Sequence, residues 1–139
     1  VDDALGYVYY SDEGVGVRQY YADPARGDEE LALFATEGFA DDHEGLSLYP
    51  TGDSTGYLLV SDQQAARFWL FAREGTPADP YAHELRRVVK VAARESDGSE
   101  ATARPLGARF PRGLLVAMSD DRTFHYYRWE DIVGASVSP

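Results

Sequence analysis

Two acid–glycine pairs stand where alternating runs begin: Glu44-Gly45 opens the run that ends at Tyr49, and Asp97-Gly98 precedes the run Ser99 to Arg104. Asp42 lies two residues ahead of Glu44, and Glu13 sits in the short acidic stretch Asp12-Glu13-Gly14 between two tyrosine-rich runs. Carboxylates that converge repel one another unless a hard cation lies between them. Oxygen donors without a thiolate suit calcium or magnesium, and calcium better, because it is larger and less demanding of geometry. Taken alone, an acid before glycine is an Asx or capping turn and Glu13 is a solvated turn residue. Recurrence of the pair at the same place in two units is what makes Glu44 and Asp97 candidates. His43 lies between two of the acids, yet alternation along a strand turns it away from them, so it does not count as a ligand. His83 and His125 have no acid or nucleophile motif beside them and read as surface or strand residues, and Arg86-Arg87 reads as a solvated strand edge. There is no Gly-x-Ser-x-Gly nucleophile turn and no phosphate-cradling glycine loop.

The elements that must position these acids repeat along the chain. Gly6-Tyr7-Val8-Tyr9-Tyr10-Ser11-Asp12 returns as Gly56-Tyr57-Leu58-Leu59-Val60-Ser61-Asp62, and again, one residue longer, as Gly113 to Asp120. The leading glycines at 6, 56 and 113 are 50 and 57 residues apart, the period of a repeated all-β unit such as a propeller blade. Leu5 to Ser11 and Val15 to Ala22 predict a hairpin with Glu13 at its tip, followed by a loop over 22–28; Glu29 to Thr36 fits a strand or one or two helical turns, and the strand is favoured. Gly45 to Tyr49, Gly56 to Ser61, Arg67 to Arg73 and Leu85 to Ala93 predict a four-stranded meander, although the last also fits a helical period. Further strands are expected near Glu100 to Arg104, Leu114 to Met118 and Thr123 to Tyr127. A closing turn or short helix is expected over Trp129 to Val133, and a frayed tail over 134–139. The fold class is therefore all-β, of propeller type, and residues 1–139 form one partial propeller domain of about three blades. In such a domain the first strand of each blade lines the channel, which would bring the acids of several blades to one axis.

Composition narrows the partners. The chain has 139 residues, 44% of them hydrophobic, ten tyrosines and no cysteine, which suits packed strands and excludes disulfides and thiolate metal sites. A net charge of −11 argues against nucleic acid and anionic membranes, so an anionic substrate would need metal ions to bring it in. No apolar run approaches the roughly 18 residues that cross a bilayer, and the N-terminus has no basic and apolar signal region. The expectation is a protein that is intracellular or whose leader lies outside this sequence.

Several stretches, in order, resemble the β-propeller phytases. Asp2-Asp3-Ala4-Leu5-Gly6-Tyr7-Val8-Tyr9-Tyr10-Ser11-Asp12-Glu13 is similar to that family's Asp-Asp-x-x-Gly-x-Leu-Tyr-x-x-Glu-Glu, and Tyr21-Ala22-Asp23-Pro24 to the Ala-Glu-Pro that follows it. Asp42-His43-Glu44-Gly45-Leu46 matches Asp-x-Glu-Gly-Leu. Glu95-Ser96-Asp97-Gly98, Phe110-Pro111-Arg112-Gly113 and Trp129-Glu130-Asp131-Ile132 resemble motifs near the family's C-terminus. The resemblance implies a six-bladed, calcium-dependent phosphomonoesterase acting on inositol hexakisphosphate, of which this chain would be the C-terminal half, secreted or periplasmic. It implies Asp42, Glu44 and Asp97 as calcium ligands, and Glu13 as a catalytic residue that holds calcium or orients the attacking water. The loop before Glu95 and the loop after Asp120 are shorter than the family's, and the lysines and arginines that grip phosphate are not found here. The rival expectations are a calcium-stabilised propeller that only binds, or another propeller hydrolase such as a lactonase. Partners would be phosphate monoesters, together with further blades or a second copy covering end faces that carry Tyr7, Tyr9, Tyr20, Tyr126 and Trp129.

Overall fold

A computed structural model describes residues 1–134; the frayed tail expected over 134–139 falls almost wholly outside them. The chain folds into three antiparallel sheets in sequence order. The first contains β1 (Tyr7–Asp12), β2 (Gly16–Tyr21) and β3 (Ala32–Phe34) in the order β1-β2-β3. The second contains β4 (His43–Pro50), β5 (Gly56–Asp62), β6 (Arg67–Ala72) and β7 (Leu85–Lys90), again in sequence order. The third contains β8 (Ser99–Thr102), β9 (Leu114–Ser119) and β10 (Thr123–Arg128), and a short helix α1 (Trp129–Gly134) follows it. The architecture is all-β, with consecutive meanders of three, four and three strands, as expected for a partial β-propeller. Leu85 to Lys90 is a strand and not a helix because its neighbours alternate faces: Val88 packs toward the first sheet and Val89 toward the third.

The middle sheet buries both of its faces, which explains the unbroken apolar runs of β5 and β6. On one face Leu58, Val60, Trp69, Phe71 and Val88 meet Val17, Phe34 and Ala35 of the first sheet and the segment after it. On the other, Tyr49, Leu59, Phe68, Leu70 and Val89 meet Ala101, Leu115 and Ala117 of the third sheet, closed by Trp129 and Ile132 of α1. The outer sheets each have one uncovered face. Phe124 and Tyr126 on β10 are 65% and 62% exposed, and Tyr10 on β1 lies exposed and stacked on Tyr20. Trp129 departs from its expected place on an end face: it is 1% exposed, lying flat on Tyr49 with ring centroids 3.4 Å apart. Its indole needs the largest apolar surface within reach, and α1 swings it under the middle sheet to find it.

The three repeats occupy equivalent positions, as β1, β5 and β9 with the glycines that lead them. Gly6, Gly56 and Gly113 have φ of 71°, 152° and 80°, a region costly for residues with a Cβ, which is why the unit begins with glycine each time. Equivalence then makes β4 and β8 first strands, each paired to the repeat strand that follows it.

Candidate functional site

Glu13, Asp42, Glu44 and Asp97 come from all three sheets and lie at one end of the strands. Glu13 is in the three-residue turn between Asp12 and Gly16, closed by the Val15 amide donating to the Asp12 carbonyl at 2.9 Å and carried by Gly14 at φ 72°. Asp42 immediately precedes β4. Glu44 stands in a bulge, because β4 advances three residues from His43 to Leu46 while β5 advances two from Asp62 to Val60. A bulge of this kind re-aims a side chain that regular alternation would fix. Asp97 lies in the loop ahead of β8.

Close packing brings β4 and β8 together at this end. A Cβ placed on Gly45 would stand 2.8 Å from the Asp97 carbonyl oxygen and 3.1 Å from the Ser99 amide nitrogen, so no side chain is tolerated there. The second glycine of the repeated pair has no such duty, since a Cβ on Gly98 would meet only Met118 at 3.7 Å. One strand-pair further on, the hydroxyls of Ser47 and Ser99 lie 3.1 Å apart.

The repeated Ser-Asp ending of each unit acquires a role that sequence alone did not assign. Ser11 donates to the Glu44 carbonyl at 2.7 Å, and the equivalent Ser61 donates to the Ser96 carbonyl at 2.8 Å. Each hydroxyl therefore ties its own sheet to the acid-bearing segment of the next. The aspartates that follow turn to arginines on the adjoining strand, Asp12 to Arg18 and Asp62 to Arg67, both at 2.7 Å.

Electrostatics couples the four carboxylates. The Glu44 carboxyl is raised above its usual range, first by burial and then by the charges of Glu13, Asp97 and Asp42. One of its oxygens accepts from Gln63 Nε2 at 3.2 Å. Among the described residues Glu13, Asp42 and Asp97 make no side-chain hydrogen bond or ion pair, whereas the arginines nearby are engaged: Arg18 with Asp12 and Glu30, Arg67 with Asp62, Arg94 with Asp120. No three acids or histidines among the described residues close into a ready ligand shell. Carboxylates without sulfur or imidazole are the donor type a hard cation prefers, but here they stand near one another without being assembled around one point.

The histidines divide as follows. His43 points away from the acids: it is buried, its Nε2 meets the Ala35 carbonyl, and its ring lies 4.1 Å from that of Phe39. His83, expected at the surface or on a strand, is instead buried in the loop before β7. Nδ1 there meets the Ala72 carbonyl at 2.8 Å and Nε2 the Gln19 side chain at 3.0 Å. Arg86 is exposed on edge strand β7 and pairs with Glu84 at 3.1 Å, as a solvated edge should. No helix among the described residues is long and apolar enough to cross a membrane.

Comparison with known proteins gives these acids a context. The family described as Phytase matches residues 1–127. The chain belongs to the phytase family. A 3-phytase of Bacillus subtilis (strain 168) is 24% identical over 143 residues, an alignment that covers 94% of this chain and 37% of that relative. The chain thus spans little more than a third of that relative's length.

Proposed function

We propose that this chain is a C-terminal portion of a calcium-dependent phytase, a six-bladed propeller that releases phosphate from inositol hexakisphosphate and related phosphate monoesters by attack of water. The observation that supports the reading is membership of the phytase family, together with three unpartnered carboxylates, Glu13, Asp97 and Asp42, near enough to Glu44 for their charges to add to the rise of its carboxyl. Asp42, Glu44 and Asp97 would hold calcium, with Gln63 and Ser11 fixing the side chain and backbone of Glu44. Bound calcium would neutralise substrate phosphates and lower the pKa of a coordinated water. Glu13, free at its hairpin tip, would orient the attacking water and take its proton. A secreted or periplasmic location accompanies this reading, because an open site of few carboxylates suits the high calcium outside cells.

The second reading, a calcium-stabilised propeller that binds without catalysis, draws support from the paired state of Arg18, Arg67 and Arg94, which leaves these cations engaged and not aimed at a phosphate. Family membership speaks against the lactonase reading. Phosphate release and calcium-dependent melting, measured together, separate the first two. The isolated chain should be stabilised by millimolar calcium, an effect lost in Glu44→Gln, yet should hydrolyse inositol hexakisphosphate weakly. In the complete enzyme, Glu13→Gln should lower turnover by about 10²- to 10⁴-fold with little change in melting. Unaltered turnover in that variant would return Glu13 to an ordinary turn residue, and a melting curve indifferent to calcium and chelator would remove the metal.

A further inference from the structure

The chain has 24 acids, yet none stands between Glu100 and Asp120, the longest such interval in the sequence. Arg104, Arg109 and Arg112 fall inside it, all exposed in the loop that joins β8 to β9. Six arginines elsewhere, Arg18, Arg67, Arg73, Arg86, Arg94 and Arg128, pair with a carboxylate. Among the described residues the three in this loop pair with none. The Glu130 carboxyl is held below its usual range first by its own backbone amide and then by Arg128 and Arg112, but its ion pair is with Arg128.

The loop is ordered by its own backbone. Thr102 pairs with Leu114, and the Leu106 amide donates to the Phe110 carbonyl at 2.9 Å, so Arg104 and Arg112 stand on facing legs. Arg109 lies in the closing turn, where the Phe110 amide donates to the Gly107 carbonyl at 3.2 Å. The legs are close: a Cβ on Gly113 would stand 1.8 Å from the Thr102 carbonyl oxygen. Pro105 and Pro111 fix one backbone angle in each leg, and the Tyr49 hydroxyl donates to the Arg112 carbonyl at 2.6 Å. A backbone ordered in advance lowers the entropy lost when a partner binds. Leu106, 50% exposed, adds apolar surface beside the charges.

We propose that loop 103–113 is a docking surface for an acidic segment of another protein, which sets carboxylates against Arg104, Arg109 and Arg112 and an apolar side chain against Leu106. Guanidinium groups take carboxylates in paired hydrogen bonds. Distribution over two legs and a closing turn suits a segment better than a single small anion. A nucleic acid or an anionic bilayer is charged along its whole extent and would meet the field of a chain at net −11. A short acidic segment meets the loop alone, because exposed charges are screened beyond about 8 Å at physiological salt. The loop leaves β8 at the end opposite Asp97, so the inference is independent of the catalytic reading.

Titrating a dye-labelled Glu-Glu-Leu-Glu-Glu peptide with the chain, read by fluorescence anisotropy, tests it. Replacing Arg104, Arg109 and Arg112 together by glutamine should weaken binding about tenfold or more. The control, Arg86→Gln with Arg87→Gln and Arg122→Gln, removes the same charge elsewhere and should bind like the parent chain. Arg109→Gln alone, which alters neither leg, should weaken binding about twofold to threefold and keeps the test open if the triple variant unfolds. Leu106→Ser should weaken binding without changing its salt dependence. Equal loss in the two triple variants would assign the effect to net charge and overturn the proposal. So would a parent chain that leaves the peptide unbound, or that takes tripolyphosphate or anionic lipid vesicles more tightly than the peptide.

Discussion

Where the first sheet meets the second, Gln19 bridges His83 and Tyr9 in a buried line of hydrogen bonds, and Asp2 pairs with Arg73 across 71 residues of sequence. Where the second meets the third, Tyr49 and Trp129 stack over a contact of Leu59, Phe68, Leu70, Leu115 and Ile132. The first joint adds polar partners to its apolar core, and the second relies mainly on shape. A buried polar group is satisfied in few geometries, so the first joint is held to one alignment, while apolar packing tolerates repacking at similar volume. Glu13 and Glu44 lie on opposite sides of the first joint and Glu44 and Asp97 on opposite sides of the second. The candidate site thus depends on both.

The largest effect that would test this contrast is at Trp129. Trp129→Ala removes the plug of the second joint and should cost about 3 to 5 kcal/mol in denaturant unfolding, while Trp129→Phe should recover most of it. Arg73→Leu comes next: it leaves Asp2 buried without its partner and should cost about 3 kcal/mol, with a double Asp2→Leu, Arg73→Leu chain markedly more stable than the single variant. If the single and double variants melt alike, the ion pair does not define the first joint. Gln19→Leu should cost about 1 to 3 kcal/mol by stranding His83 and Tyr9, and unlike Trp129→Phe it should not be rescued by keeping the volume.

The smallest expected effect is a pH dependence confined to the first joint. Burial lowers the His83 pKa below its ordinary 6.5. The unfolded chain takes the proton first as pH falls, so the stability held by the neutral ring is present above about 6.5 and declines as pH drops toward the folded pKa. His83→Gln should flatten that part of the stability curve. A slope that survives the substitution would place its origin in another group.

Much of this was legible in the chain. Period-two runs and turn residues gave the strands, but that the middle sheet is covered on both faces emerged only from the packing of β5 and β6. The repeat of acid and glycine singled out Glu44 and Asp97, yet the two do not stand alike: Glu44 lies in the bulge of β4 and Asp97 in the loop ahead of β8. What stayed hidden depends on pairs remote in sequence. Asp2 entered only as the start of the stretch Asp2 to Glu13, and nothing near it in sequence announces Arg73. His83 carried no motif because its partners, Gln19 and the Ala72 carbonyl, come from strands of different sheets. Ser11 and Ser61 were visible as repeats, but a hydroxyl's target cannot be read without the neighbouring backbone. Trp129 was misplaced because an aromatic near the end of a chain looks the same whether it caps a face or fills a core.

The chain has two tryptophans, and the fold assigns one to each joint. Trp69 donates its indole N–H to Asp62 at 3.2 Å and stacks on Phe39, whereas Trp129 lies flat on a tyrosine. Intrinsic emission therefore has two separable channels, one polar-bonded and one ring-stacked. With either indole replaced by phenylalanine, the remaining one becomes a local probe that shows, in real time and without a label, which seam opens first.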